Sequence, residues 1–145
     1  MSGLLGSPAR PGLSLPPALR AAILDHALAS PEFEVCGLLG GAGGLALTRY
    51  AVANVADEPA TNFLMEPREQ LGAMKAMRER GEELVGIYHS HPAGPAAPSA
   101  RDLEFAAYPG VAYLIVSLEQ RDAPVLAGFV FDGAAFRPLA VGPAD

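Results

Sequence analysis

Residues 84–92 read Leu84-Val85-Gly86-Ile87-Tyr88-His89-Ser90-His91-Pro92, and residues 98–102 read Pro98-Ser99-Ala100-Arg101-Asp102. The first stretch is bounded by proline and carries β-branched and aromatic residues, so it predicts a buried strand over 84–91. On a strand, residues two apart share a face. His89 and His91 therefore project together, and Ser90 points the other way. Pro92 stops the strand directly after the pair, and the loop 92–98 holds three prolines. A short helix over 99–107 follows, with Asp102 in its first turn. Two imidazoles on one face can chelate a small cation, and a carboxylate at that helix start can close a His-His-carboxylate triad. Three protein ligands with a fourth position left for water is the pattern of catalytic rather than structural zinc. Ser99-x-x-Asp102 is also a helix-start pattern, Ser as N-cap with an acid three residues on. One turn can serve both purposes.

Working outward, the flanking sequence gives strands and helices in irregular order. Pro16-Pro17 opens a helix of about thirteen residues, whose apolar positions Leu19, Ala22, Ile23, His26 and Ala27 follow helical spacing. Ser30-Pro31 ends it. Glu34 to Gly40 and Leu45 to Val55 read as a hairpin turned at the glycines 40–44. Asp57 to Asn62 is a loop, with a short strand expected over Phe63 to Met65. Pro67 opens a second helix, Arg68 to Arg80, whose expected buried stripe is Leu71, Met74 and Met77. Three more strands are expected over 111–118, 123–131 and 134–141. The pattern predicts an α+β fold, a mixed sheet flanked by helices. Residues 1–15, rich in Gly, Pro and Ser without a period, read as a tail, and 16–145 as a single domain.

Composition narrows the function. Half of the 145 residues are hydrophobic, enough for a real core, and 18% are charged. No apolar run has the length needed to span a bilayer, and the N-terminal residues make a poor signal peptide; the expected location is the cytoplasm. A net charge of -6 argues against sequence-independent nucleic-acid binding and against an anionic membrane surface as partner. A single cysteine, Cys36, rules out an intrachain disulfide and any cysteine-rich zinc site. Any metal must be held by carboxylates and by His26, His89 or His91. His26 sits on the apolar stripe of the first helix and reads as a satisfied core or interfacial histidine. Cys36 lies two residues from Glu34 and reads as a small buried hydrophobe, although strand parity puts it on the same face.

His89-Ser90-His91-Pro92, then Ser99-x-x-Asp102, with Glu34 upstream in Glu34-Val35-Cys36-Gly37-Leu38-Leu39-Gly40, resembles the JAMM (MPN-plus, Mov34) zinc metallopeptidases. Their pattern is a Glu on an early strand, then His-x-His-Pro, a short loop and Ser-x-x-Asp. The likeness runs from about His26 to the last strand and is strongest to the short, stand-alone bacterial members. It implies a curved mixed sheet, distantly similar to the cytidine-deaminase fold. It implies one zinc per chain on His89, His91 and Asp102, with Glu34 as general base and proton shuttle and Ser99 as donor to the tetrahedral oxyanion. It implies as substrate a ubiquitin-like or sulfur-carrier protein, cut after its C-terminal Gly-Gly. By the same resemblance Asn54 and residues 63–66 flank a substrate groove. Two other functions fit the residues less well. A zinc nucleoside deaminase would need a Pro-Cys-x-x-Cys pair, which one cysteine cannot supply. A non-catalytic MPN scaffold would have lost its ligands, whereas here the ligand set, the Glu and the Ser are all present. Oligomeric state is left open by the sequence.

Overall fold

The computed structural model describes residues 12–143. Its elements in chain order are β1 (Leu13–Leu15), α1 (Pro17–Ala29), β2 (Cys36–Ala42), β3 (Leu45–Val52), α2 (Pro67–Glu79), β4 (Glu83–His91), α3 (Ala100–Glu104), β5 (Ala112–Ser117), β6 (Val125–Phe131), β7 (Phe136–Leu139) and β8 (Val141–Pro143). The strands form one mixed sheet in the order β7-β6-β5-β4-β2-β3-β1-β8. β1 runs parallel to both β3 and β8, β4 runs parallel to β5, and the other pairs are antiparallel. Only Ala140 separates β7 from β8, yet these strands stand at opposite ends of the order. The sheet must therefore curl until its two ends meet. Leu13 accordingly donates its amide to the Ala140 carbonyl at 2.9 Å.

Each face of the sheet has its own core. Inside the curl, Ile23 and Ala27 of α1 pack with Leu13, Leu15, Leu39, Tyr88, Leu114 and Val116. On the other face, Ala73 and Met77 of α2 pack with Cys36, Leu38, Val52, Ile87 and Tyr113. The central strand β4 feeds both, Tyr88 to the α1 side and Ile87 to the α2 side, as the pleat requires. A register shift between Leu39 and Gly40 opposite β4 accounts for Val85 and Leu84 joining the faces they do. The β2–β3 hairpin turns at Gly43 and Gly44, with φ of 60° and 80°, a conformation that costs a residue with a Cβ.

Several expectations change; the strand expected over 134–141 is split into β7 and β8 at Ala140, and the helix expected over 99–107 spans only Ala100–Glu104. Of the expected tail, the first eleven residues lie outside those described, but Leu13–Leu15 is a strand with both leucines buried; its partners lie some thirty and more than a hundred residues away, so no local pattern could show it. Glu34 precedes β2 rather than lying in it. Residues 63–65 make only the isolated bridge Asn54–Met65. Of the expected α2 stripe, Met77 is buried and Met74 packs against the core, but Leu71 is exposed and Ala73 is buried in its stead.

Candidate metal centre

β4 ends in His89 and His91, both buried, on the α2 face of the sheet. The loop after Pro92 brings α3 back across this strand end. Ser99 caps α3 reciprocally: its Oγ accepts from the Asp102 amide at 3.1 Å, and its own amide donates to Asp102 Oδ2 at 2.9 Å. The capping box thus aims the Asp102 carboxylate at the histidines. Asp102 Oδ1 lies 3.1 Å from His89 Nε2, Asp102 Oδ2 lies 3.1 Å from His91 Nε2, and the two Nε2 atoms are 3.1 Å apart. One ligand atom from each residue falls within 4.8 Å of the others. The expected trio is therefore brought together, through contacts between elements that the spacing alone could not supply.

The tautomers say what this cluster fits. His91 Nδ1 lies 2.8 Å from the Pro95 carbonyl. A carbonyl only accepts, so Nδ1 carries the proton, and a neutral His91 turns the Nε2 lone pair toward Asp102. A lone pair facing a carboxylate at that distance is repulsive unless a proton or a cation lies between them. A backbone carbonyl on the far nitrogen is the usual support of a metal-binding imidazole. His89 Nδ1 finds no partner among the described residues, and its ring stacks on Phe63 with centroids 4.6 Å apart. Burial works against charge on Asp102, but its hydrogen bonds with His89 and His91 outweigh that and hold the carboxyl well below the usual range. Burial also disfavours protonated His91, yet the Asp102 and Pro95 hydrogen bonds raise its pKa; at fully buried His89 burial prevails and lowers it. The donor set, two imidazoles and one ionised carboxylate, suits a divalent ion of the zinc type.

Glu34 sits beside this cluster. Cys36 pairs with His89 across the β2–β4 ladder, and the same register carried two residues further faces Glu34 toward His91. The ladder is extended irregularly: the Ser90 amide donates to the Val35 carbonyl at 3.1 Å, while the Val35 amide donates to the buried Ser90 hydroxyl at 2.9 Å. Glu34 is buried and its Oε1 has no partner among the described residues. Burial pushes its pKa up to about 7, with the His91 charge opposing and the Asp102 charge adding to the shift. A carboxyl poised there can exchange a proton near neutrality.

The remaining candidates divide. Ser99 is exposed, and since its Oγ accepts the capping bond, its hydroxyl proton is free to donate elsewhere. Cys36 is fully buried in the α2-side core, donates to the Val52 carbonyl at 3.4 Å, and has its thiol pushed up to about 12 by burial. His26 takes a hydrogen bond with Tyr88 Oη at 2.6 Å and lies away from the cluster. Asn54 belongs to the wall of a groove of about 690 Å³ only through its neighbours: Val55, Asn62, Phe63, Leu64, Phe105 and Tyr108 line it, together with His89 and Asp102. Residue spacing carries no sign of Ser90 as a partner of Val35, Pro95 as the support of His91, or Phe63 on His89. A buried, ligating histidine needs an acceptor on its second nitrogen, which signals that some partner exists without saying which.

A curled mixed sheet that presents two histidines and a capped aspartate at one strand end defines an α+β domain built around a metal-capable centre. The chain belongs to the prokaryotic homologs of the JAB domain, whose family model matches residues 16–127. It is 38% identical over 135 residues to the desampylase of Haloferax volcanii, covering 89% of this chain and 94% of that one. It is 33% identical over 115 residues to the CysO-cysteine peptidase of Mycobacterium tuberculosis, covering 78% and 79%. The solution structure of a protein from Desulfitobacterium hafniense superposes with a TM-score of 0.77 at 36% identity, covering 91% of this chain and 94% of that one. Among the described residues no helix is long and apolar enough to cross a membrane.

Proposed function

We propose that this chain is a zinc-dependent peptidase or isopeptidase that cuts the bond after the C-terminal Gly-Gly of a ubiquitin-like or sulfur-carrier protein. The observation that carries the reading is the convergence of His89 Nε2, His91 Nε2 and the Asp102 carboxylate within 4.8 Å, with His91 oriented by the Pro95 carbonyl on its Nδ1. Those three residues would hold one zinc ion. Bound there, zinc supplies Lewis acidity, which activates water and polarises the substrate carbonyl.

The chain's own groups would do the rest. Glu34, held near neutrality by burial, takes the proton from the attacking water and returns it to the leaving amine. The free hydroxyl proton of Ser99 donates to the oxyanion, a contribution of a few kcal/mol in comparable sites. The groove of about 690 Å³ beside His89 and Asp102 receives the extended tail of the carrier. Relatives named for cleaving carrier conjugates support this substrate class. The intact ligand set favours it over a non-catalytic scaffold.

The test is elemental analysis followed by hydrolysis. The purified chain should take up one zinc. The zinc-loaded chain should then release the carrier from at least one of two conjugates: CysO bearing a C-terminal cysteine, or the same carrier joined through its Gly-Gly end to a lysine. Intact mass reads both and separates peptide from isopeptide cleavage. A chain that takes up no zinc, or a loaded chain that cuts neither, overturns the reading.

A further inference from the structure

Glu34 is buried, and its carboxylate Oε1 has no hydrogen-bond partner among the described residues. A cavity of about 290 Å³ opens beside it, lined by His26, Ser30, Phe33, Val52, Asn54 and Pro59. With no hydrogen bond to Oε1, the bonds that fix this residue fall on its backbone. On one side the Ser90 clamp holds Val35 to the strand that carries both histidines. On the other side the Glu34 amide donates to the Pro59 carbonyl at 2.7 Å, and the Glu34 carbonyl accepts from Asn54 Nδ2 at 2.9 Å. Asn54 is saturated. Its Nδ2 also donates to the Asn62 carbonyl at 3.0 Å, and its Oδ1 accepts from the Ala56 and Leu64 amides, both at 3.0 Å. Ala56, Asn62 and Leu64 all line the groove beside the metal-capable cluster.

We propose that Asn54 is a positioning residue that ties the groove wall to the backbone of Glu34, so that the wall and the base move as one unit. This rests on the reading of Glu34 as general base. The groove wall does not itself need Asn54. The Val55 amide bonds to the Leu64 carbonyl at 2.8 Å, and the Glu66 amide bonds to the Ala53 carbonyl at 2.9 Å, and these hold the wall as a hairpin. Removing the amide side chain leaves that backbone hairpin in place but cuts its tie to the Glu34 carbonyl. A base displaced by a fraction of an ångström loses rate steeply while binding is little changed.

The experiment compares zinc-loaded wild type with Asn54→Ala on the CysO-cysteine conjugate. The variant should keep its zinc, keep KM within about threefold and lose about thirtyfold or more in kcat. A raised KM with kcat retained would make Asn54 a groove residue only and overturn the proposal, as would wild-type behaviour. An inactive wild type would instead fault the peptidase reading, and a second measurement stands apart from it. Native-state hydrogen exchange on the wild-type chain should show the Glu34, Ala56 and Leu64 amides opening with one common free energy. In Asn54→Ala the Glu34 amide should exchange faster, while the Val35 amide held by Ser90 should not. A Glu34 amide that opens with Val35 and independently of Leu64 in wild type would sink the idea, whether or not the variant folds well.

Discussion

Tyr88 and His89 are neighbours on one strand, and each meets a histidine, but on opposite faces of the sheet. On the α1 face, His26 Nδ1 bonds the Tyr88 hydroxyl at 2.6 Å, and that hydroxyl also accepts from Arg49 at 3.1 Å. Burial and the Arg49 charge lower the pKa of His26, so it stays neutral beside a neutral partner. The Tyr88 ring lies where a side chain on Gly37 would sit, which fixes it flat on the sheet. On the α2 face, the Nε2 atoms of His89 and His91 meet each other and an ionised carboxylate. The same residue type is paired with a tyrosine hydroxyl on one face and faces a carboxylate on the other. What faces the ring nitrogen sets the role as much as burial does: His26 is half-buried, and His89 and His91 are buried.

That contrast can be broken hardest at Asp102. Asp102→Asn removes the ionised carboxylate that makes the α2 face a cation site, and hydrolysis should fall by three orders of magnitude or more, on the scale of losing a metal cofactor's contribution. Elemental analysis should show zinc lost with it. His89→Ala should do the same. Zinc retained at full stoichiometry in either variant would place the metal elsewhere.

Glu34→Gln separates the base from the ligands. It should keep zinc and lose roughly a hundred- to ten-thousand-fold in kcat, because an amide cannot shuttle a proton. In wild type, kcat should rise with pH through the ionisation of Glu34. The metal-free protein reports the same group through stability. The folded-state pKa of about 7 is raised above the ordinary 4.5, so the folded state binds this proton more tightly than the unfolded chain. Its contribution is complete below about pH 4.5 and is lost as pH rises through 7. Metal-free Glu34→Gln should therefore be more stable than metal-free wild type at pH 8, by up to about 3 kcal/mol, and no more stable at pH 4. Denaturant melts at the two pH values, in chelator, give the comparison; a variant less stable at pH 8 would contradict the buried, unpartnered carboxyl.

Tyr88→Phe tests the α1 face. It leaves His26 and Arg49 without the hydroxyl and should cost about 1–2 kcal/mol of stability, with zinc content unchanged and kcat within a few-fold. A variant that loses zinc would show that the two faces are not independent. The smallest effect is expected at Cys36. A serine hydroxyl can make the same bond to the Val52 carbonyl, and the raised thiol pKa leaves no thiolate near neutrality. Cys36→Ser should fold, bind zinc and keep activity within about tenfold, since a metal-activated water needs no sulfur nucleophile. Complete inactivation with zinc still bound would point to a thiol step.

The sequence by itself determined the pieces whose physics is local. Strand parity put His89 and His91 on one face and Ser90 on the other, and the structure keeps that split. The Ser99-x-x-Asp102 spacing set the capping box, and prolines marked the starts of both long helices. Alternating and helical patterns found most of the strands and both long helices, because pleat and helical pitch act over a few residues. Tertiary structure decided everything that depends on residues distant in the chain. Leu13–Leu15 became a strand only through partners supplied by β3 and β8, and the expected last strand split at Ala140 because its halves serve opposite ends of a curled sheet. Leu71 faces solvent because the packing of α2 on the sheet, not side-chain size, chose the inward stripe. Asp102 reaches the histidines, and Asn54 and Ser90 reach the Glu34 segment, across loops whose closure no local pattern encodes. A spacing fixes which way a side chain points; only the closed chain fixes what it points at.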